Sequence, residues 1–579
     1  MDYTESITDS TVSLSNVSSP FSNVGSPPEA PNVDSQFVNK HNISAEIYQL
    51  FKDDVDMLLS GKVPPNEQPQ LISRIVNTSM ELYTALEEEK QYLMGDVLYS
   101  WAARQQKLSI GTLWTQQVHY RVLDTIHQQF EYFGELLEQT MSGVRYLQER
   151  FGDDTFNSLY SKLQQMAHYF LYYSIIVSRQ PPSVIVKCGE AENHRRSRFW
   201  FNTEIRVLGG HAFGVDQEGD GVEIKCFLIT DDTARQLLNN AYHDIFENEE
   251  FAIEPPSSVF ESKEGRGVKA KFDDMRVAKK GQLRRDSVAT KRYCLCYSIN
   301  LKAAHGITLI GKKVSLPFAV LVGPKSDVEA RLFLERSFAD LVRRPLSDIP
   351  TSVDYRELAD ALEMKFQAIV ETPQKSTDGP SIIKPRMFTD HEKEHIIMRL
   401  KPDSNGQVNL ENFLKLAVCQ EFTTKRTSSD GEWKLVAFFD WFFKLAEIVN
   451  KYLYQMWMDG LVYGFCGKDE AEELLRACPR SCLLVRFSDV EYGKVKISVR
   501  YDNGVLQHHW YDHTDLNARS LHKELLSNHK FSGIECIYPE INLETALGGR
   551  QRHHTNRKPR ILNPTPVYFD NQGAANSAF

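Results

Sequence analysis

Between residues 118 and 144, Val118, Val122, Ile126, Phe130, Phe133, Leu137, Met141 and Val144 step by four or three. The mean step is close to one helical turn, so these side chains draw one continuous apolar stripe along a single long helix. Gly134 and Gly143 fall inside it but off the stripe. A stripe of this length has to be buried against something. Ser109, Gly111 and Gly152-Asp153-Asp154 mark turns on either side. The pattern predicts helices near residues 43–60, 67–106, 112–149 and 154–178. A bundle packed on itself is the plain reading, and a groove for a partner helix is the functional alternative.

The rest of the chain reads differently on both sides of this bundle. At 579 residues it is too long for one core, and about four domains is the expectation. Residues 1–41 are rich in Ser, Pro, Asn and Asp and are expected to form a disordered tail, with Ser19-Pro20 and Ser26-Pro27 as possible phosphorylation sites. Arg179-Gln180-Pro181-Pro182 stops the helical region. β-type segments follow at 184–187, 199–207, 222–230, 292–301, 307–310 and 318–322, separated by polar loops as in a β-sandwich or barrel. Residues 346–455 read as helix again. Within them, the Asp403-Ser404-Asn405-Gly406-Gln407-Val408-Asn409 run looks like a calcium loop. Setting Gly406 sixth puts Lys401 first and Asn412 twelfth, where carboxylates are needed, so no calcium binding is expected. His391-Glu392-Lys393-Glu394-His395 matches HExxH, with both imidazoles on one helix face, but no clear third zinc ligand follows. The first turn of a helix capped by Thr389 or Asp390 is the plainer reading.

Net charge is −10, so any nucleic-acid binding needs a local basic patch. Residues 263–313 supply one in the sequence: 14 Lys/Arg against 4 Asp/Glu. Its densest part is Arg276, Lys279, Lys280, Arg284, Arg285, Lys291 and Arg292. A solvated loop and a surface for phosphate backbones both fit such a run. Arg284-Arg285-Asp286-Ser287 also fits a basophilic-kinase site at Ser287. The nine cysteines are scattered, and Cys294 and Cys296 share one strand face without zinc spacing, which reads as reduced thiols of a cytosolic or nuclear protein. No signal peptide opens the chain and no apolar run approaches a membrane span, so membrane insertion is not expected.

Near the carboxy terminus, Cys482-Leu483-Leu484-Val485-Arg486-Phe487 is an apolar run too short for a helix and reads as a buried strand. Arg486 sits inside it. A buried guanidinium keeps its proton and needs an anion, either a structural carboxylate or a ligand phosphate. Around this strand stand an amphipathic helix at 468–475, a strand at 494–501, an Asp502-Asn503-Gly504 hairpin turn, a strand at 505–511 and a helix at 520–528.

That order resembles a Src-homology-2 (SH2) domain. Tyr452-Leu453-Tyr454-Gln455-Met456-Trp457-Met458-Asp459-Gly460, Gly464-Phe465, Leu484-Val485-Arg486-Phe487-Ser488 and Tyr538-Pro539-Glu540-Ile541 resemble linker and SH2 segments of the STAT transcription factors. Val177-Ser178-Arg179-Gln180-Pro181 and Ser315-Leu316-Pro317-Phe318-Ala319-Val320 are similar to that family's coiled-coil exit and DNA-binding strand. The resemblance covers residues 43–570 and points to a divergent, invertebrate member without the family's folded amino-terminal domain or carboxy-terminal activation domain. It implies a multidomain α and β fold: tail 1–41, four-helix coiled-coil domain 42–180, immunoglobulin-like β-sandwich or barrel DNA-binding domain 181–345, helical EF-hand-like linker 346–456, α+β SH2 domain 457–548 and tail 549–579.

By the same resemblance, Arg486, Lys468, Ser488 and Asp489 bind phosphotyrosine, and Tyr568 is the phosphorylated residue. Val490 stands where many members carry a serine. Lys279, Lys280, Arg284, Arg285 and Lys325 are expected on the DNA backbone. Glu204 and Gly323 replace a DNA-contacting lysine and asparagine, and an acidic group there would repel phosphate. The implied protein is a latent, non-enzymatic transcription factor. A tyrosine kinase or phosphorylated receptor activates it. It dimerises with itself, passes from cytoplasm to nucleus by the import machinery and binds double-stranded DNA. No cofactor or metal is implied. A cytoplasmic SH2 adaptor without DNA binding is the alternative.

Overall fold

The computed structural model describes residues 34–548 apart from 153, 187–199, 240–243, 246–247, 249, 264–266, 281–290, 322–324, 343–347, 372–373, 377–378, 382 and 425–430. The first helix, α1 (Ser35–Leu59), begins earlier than composition predicts. Asp34 caps it by accepting from the N–H groups of Gln36 and Phe37, and Tyr92 donates to the same carboxylate at 2.8 Å. Phe37 is buried on the helix's inner face with Phe51, so residues 35–41 belong to the bundle, not the tail.

α2 (Gln68–Tyr92) runs through a π-turn at Leu93–Leu98 into α3 (Tyr99–Leu108). α4 (Leu113–Phe151) has 39 residues, opens on a Thr112 side-chain cap and ends at Gly152 in the left-handed region. α5 (Asp154–Tyr173) packs along it. The stripe is buried from Ile126 to Val144, but Val122 is exposed and Leu123 takes its place inside. Four-residue steps drift against a 3.6-residue period, so the stripe's early members rotate outward. Gly134 lies buried under the next domain, where an added Cβ would stand 2.9 Å from the Gly209 carbonyl oxygen. The helical pattern predicted to reach residue 178 stops at Tyr173. Ile175, Ile176 and Val177, all β-branched, instead open strand β1 (Ile175–Arg179).

The strands that follow are β2 (Val184–Val186), β3 (Phe201–Val207), β4 (Glu223–Thr230), β5 (Phe251–Glu254), β6 (Ser257–Lys263), β7 (Gly267–Lys279), β8 (Tyr293–Lys302), β9 (Thr308–Val314) and β10 (Ala319–Leu321). Two short helices, α6 (Val215–Glu218) and α7 (Asp231–Asn239), interrupt them. One sheet runs β1-β3-β7-β6-β4-β8-β9, with β5 also on β7, and β9 returns beside β1, so the sheet is close to a barrel. β2 and β10 pair in parallel. Strands β5, β6 and β7 were not legible in the sequence. β7 carries much of the basic stretch, and Asp273-Asp274 breaks its alternation: Asp274 takes φ 52° and the register with β3 shifts there. Val268, Ala270 and Phe272 before the break, and Met275 and Val277 after it, are all buried.

α8 (Ser326–Phe338) leads into a connector of β11 (Ser352–Asp354), α9 (Tyr355–Val370), a small ladder of β12 (Gln374–Ser376) and β13 (Gly379–Ser381), α10 (Asp390–Met398), β14 (Gln407–Asn409) and α11 (Leu410–Lys415). Buried Arg336 on α8 donates to the carbonyls of Pro181 and Pro317 and fixes the exit from the bundle. In the calcium-like loop Gly406 has φ 74°, and Asp403 Oδ1 accepts from the N–H groups of Asn405 and Gln407 at 2.8 Å each, so its carboxylate serves the turn. The connector is not all helix as predicted: β15 (Ala417–Thr424) and β16 (Gly431–Ala437) form a hairpin, and only then do α12 (Phe438–Ile448) and α13 (Tyr454–Met458) resume. Aromatic and β-branched side chains at Val418, Phe422, Thr423, Trp433 and Val436 favour the strand.

The last unit is α14 (Lys468–Ala477), β17 (Cys482–Phe487), β18 (Val495–Arg500), β19 (Leu506–Tyr511), α15 (His513–Ala518), α16 (Leu521–Ser527), β20 (Cys536–Ile537), β21 (Ile541–Asn542) and α17 (Leu543–Leu547). Its sheet order is β19-β18-β17-β20-β21. The connector and this unit share one core, in which Phe366, Trp457, Phe465 and Phe487 stack together.

Candidate phosphate-binding site

β17 lies central in its sheet and is buried along its whole length, which takes Arg486 out of water with it. Arg486 is 5% exposed. Its Nε donates to Ser498 Oγ at 3.3 Å, and Nη1 donates to the carbonyls of Cys466 at 3.4 Å and Phe487 at 3.3 Å. Among the described residues no carboxylate forms an ion pair with it; Asp489 and Glu472 act only at longer range, and burial pulls its pKa down. A guanidinium held by three long bonds to neutral oxygens is short of an anion.

The surroundings continue as a chain of polar contacts. The Asn503-Gly504 turn sets β18 against β19 so that Ser498 faces His508. His508 Nδ1 lies 2.9 Å from Ser498 Oγ, and its Nε2 lies 3.0 Å from Glu472 Oε1 on α14. Glu472 also accepts from Arg476 at 2.5 Å and stands 3.7 Å from Lys468 Nζ. The hydrogen bond from His508, helped by these cations, holds the Glu472 carboxyl below its usual range. Lys468 stands at the start of α14 with an exposed ammonium. Ser498, His508 and Glu472 escaped the sequence reading, although the hairpin register alone puts Ser498 opposite His508.

Ser488 and Asp489 are placed differently from Arg486 and Lys468. The Ser488 hydroxyl is buried and accepts from the Glu491 N–H at 3.2 Å, and its carbonyl accepts from Trp441 Nε1 at 3.0 Å. Asp489 Oδ1 meets His395 Nε2 at 3.0 Å and Arg399 Nη1 at 3.5 Å, and Arg399 Nη2 also bonds the Asp489 carbonyl. The connector thus fixes the turn after β17. Both histidines of the HExxH match face this unit: His395 meets Asp489, and His391 Nε2 lies 2.6 Å from Glu470 Oε1. Glu392 between them completes a capping box with Thr389 and pairs with Arg386. Among the described residues no group of three or more His, Cys, Asp or Glu side chains is arranged to hold a metal ion, and no helix is long and apolar enough to cross a membrane.

The predicted DNA-contacting residues are only partly described. Lys280 and Lys325 are exposed, Lys325 just before α8, and Lys279 ends β7. Arg284, Arg285, Ser287, Gly323 and Tyr568 lie outside the described residues. Carboxylates offset part of the basic stretch: Arg276 meets Glu254 at 2.7 Å, Lys291 meets Glu250 at 2.7 Å and Arg292 meets Glu335 at 2.8 Å. Glu204 is no surface acid. It is 6% exposed at the junction of bundle and barrel, accepts from Ser178 Oγ at 2.7 Å and from Tyr120, and has Lys269 Nζ at 4.0 Å. Strand alternation turns it toward α4, so the repulsion expected of it does not apply.

A helical bundle, a near-barrel, a helical connector and a terminal sheet that buries an arginine with no carboxylate ion pair among the described residues define a multidomain α and β protein. Residues 35–172 match the family model "Signal transducer and activator of transcription b N-terminal". The chain is 65% identical over 549 residues to "Signal transducer and activator of transcription b" of Caenorhabditis elegans, covering 95% of this chain and 97% of that protein. It is 23% identical over 500 residues to "Signal transducer and activator of transcription 1" of the same nematode, covering 79% of this chain and 66% of that protein. The Caenorhabditis briggsae protein of that name is also 23% identical, with 65% of its length covered. The chain belongs to the STAT family, the signal transducers and activators of transcription.

Proposed function

We propose that this chain is a latent transcription factor switched on by tyrosine phosphorylation, and that its carboxy-terminal unit is an SH2 domain. The buried Arg486, which has no carboxylate ion pair among the described residues, carries this reading. A phosphotyrosine brings about −1.5 to −2 charges and strong acceptor oxygens, which meets the guanidinium's unmet need. Arg486 and Lys468 take the phosphate, Ser498 and His508 orient the guanidinium, and Ser488 and Asp489 shape the loop that closes over it. Tyr568 of a second copy supplies the phosphate, after a kinase or phosphorylated receptor has engaged the chain. Two reciprocal contacts make the second one intramolecular. The dimer then enters the nucleus and presents Lys279, Lys280, Arg284, Arg285 and Lys325 of both subunits to one duplex. The role is non-enzymatic. The domain limits at 180, 345 and 456 follow the same reading.

Binding of a Tyr568 phosphopeptide to the full chain tests the pocket. Arg486→Leu is expected to lower affinity at least about a hundredfold, because removing one partner of a desolvated charged pair costs several kcal/mol. Retained affinity would refute the assignment. The pairing of Arg276, Lys291 and Arg292 with glutamates favours a second reading, a cytoplasmic adaptor without DNA binding. Duplex affinity of the phosphorylated dimer that is absent, or indifferent to salt, would select it.

A further inference from the structure

The β15–β16 hairpin is built on alternation, and only one of its faces has a use within the fold. Cys419 and Val436 point into the connector's core. The opposite face carries Phe422, Trp433 and Leu435, which are 53%, 57% and 65% exposed. Phe422 lies across Trp433 in the ladder, their rings 5.2 Å apart, and Gln420 lies across Leu435. Phe422 also folds over Gly431, where any Cβ would collide with its ring. This face continues into the candidate phosphate site. Gln420 bridges Glu491, its N–H bonding the Val490 carbonyl at 3.0 Å and its carbonyl accepting from the Tyr492 N–H at 2.9 Å. Paired residues share a face, so Gln420, Glu491 and Leu435 carry it from the turn after β17 out to the aromatic pair. Exposed Val490 stands beside it on the same turn.

We propose that Phe422, Trp433 and Leu435 dock the proline-containing segment that precedes Tyr568 in a second copy of this chain. The inference rests on the phosphotyrosine reading above. Three side chains offer far less than the roughly 800 Å² per partner of a stable globular interface, so the occupant is a short segment tethered by another contact. The phosphotyrosine supplies that tether. Directly before it the sequence reads Pro559-Arg560-Ile561-Leu562-Asn563-Pro564-Thr565-Pro566-Val567. Prolines pre-set an extended backbone at little entropic cost and stack on aromatic faces, and Ile561 and Leu562 match Leu435. Nine extended residues span about 28 Å at 3.1 Å each, whereas Leu435 lies two strands, about 10 Å, across from the Glu491 turn and Trp433 about 7 Å further along β16. Upstream, Arg550, Arg552, Arg557, Lys558 and Arg560 make the segment basic.

Fluorescence anisotropy on the full chain tests this with two synthetic Tyr568 phosphopeptides, residues 556–573 and residues 565–573. The long peptide is expected to bind about fivefold to tenfold tighter than the short one. Replacing Pro564 and Pro566 by alanine in the long peptide should remove most of that advantage without touching the protein. The Trp433→Ser, Leu435→Ser protein should bind both peptides alike and the short one as the unaltered protein does. Equal affinities on the unaltered protein overturn the docking proposal and leave the pocket standing. A variant that loses the short peptide too shows a hairpin that only holds the loop, which also overturns it. Self-association of unphosphorylated protein that the double substitution abolishes would assign the face to another hairpin instead. If neither peptide binds the unaltered protein, the phosphotyrosine reading itself falls, and this proposal with it.

Discussion

Arg486 sets the residue-scale question, because a buried cation can be structural or waiting for a ligand. The two cases differ in stability. In a structural pair, removing the arginine leaves a buried acid and costs about 3–5 kcal/mol. Here, among the described residues, the guanidinium meets only Ser498 and two carbonyls. Arg486→Leu is therefore expected to melt at or above the temperature of the unaltered protein, as thermal unfolding can show; a drop of more than about 2 kcal/mol would mean a structural role. The strand and its arginine were legible from an apolar run of six. Ser498, His508 and Glu472 were not, since cross-strand partners appear only once the register is known. Glu204 misled for the same reason: only the strand's orientation shows that it faces Tyr120 and Ser178 rather than solvent.

At the scale of elements, the long helix and the barrel meet through two glycines. Gly209 has φ 61°, and a Cβ there would stand 2.6 Å from the Phe130 backbone. Gly134 opposes the Gly209 carbonyl. Gly209→Ala is expected to cost about 2 kcal/mol or more, from strain plus separation of the two elements, and denaturant melts will measure it. The same helix holds His119 neutral. Burial pushes its pKa down to about 4 against one bond to the Trp101 carbonyl, with Arg104 adding to the depression. The unfolded chain therefore binds the extra proton first. This stability is complete above about pH 6.5 and is lost as pH falls toward 4, about 2 kcal/mol of it by pH 5. His119→Gln should flatten the stability profile between pH 6.5 and 4.5. Element types followed from periodicity wherever one pattern ran unbroken, as in α4 and β17. They failed where the pattern broke mid-element, as at Asp273-Asp274 in β7, and where a hairpin interrupted a helical region at β15 and β16.

For the whole molecule, the connector and terminal unit share a core and fix the turn after β17 through His395, Arg399 and Trp441. Any pocket at Arg486 is thus held by two parts of the chain, and Arg399→Ala is expected to weaken phosphopeptide binding about tenfold with little change in melting temperature, as titration would show. On the proposed reading, the exposed Lys280 and Lys325 serve DNA only if two copies combine. The central claim is therefore dimerisation through Tyr568 and Arg486. Sedimentation velocity of the purified full chain, phosphorylated on Tyr568, tests it most directly. The account predicts a dimer that reverts to monomer in Arg486→Leu and on dephosphorylation. A phosphorylated chain that stays monomeric, or a dimer indifferent to Arg486, would contradict it.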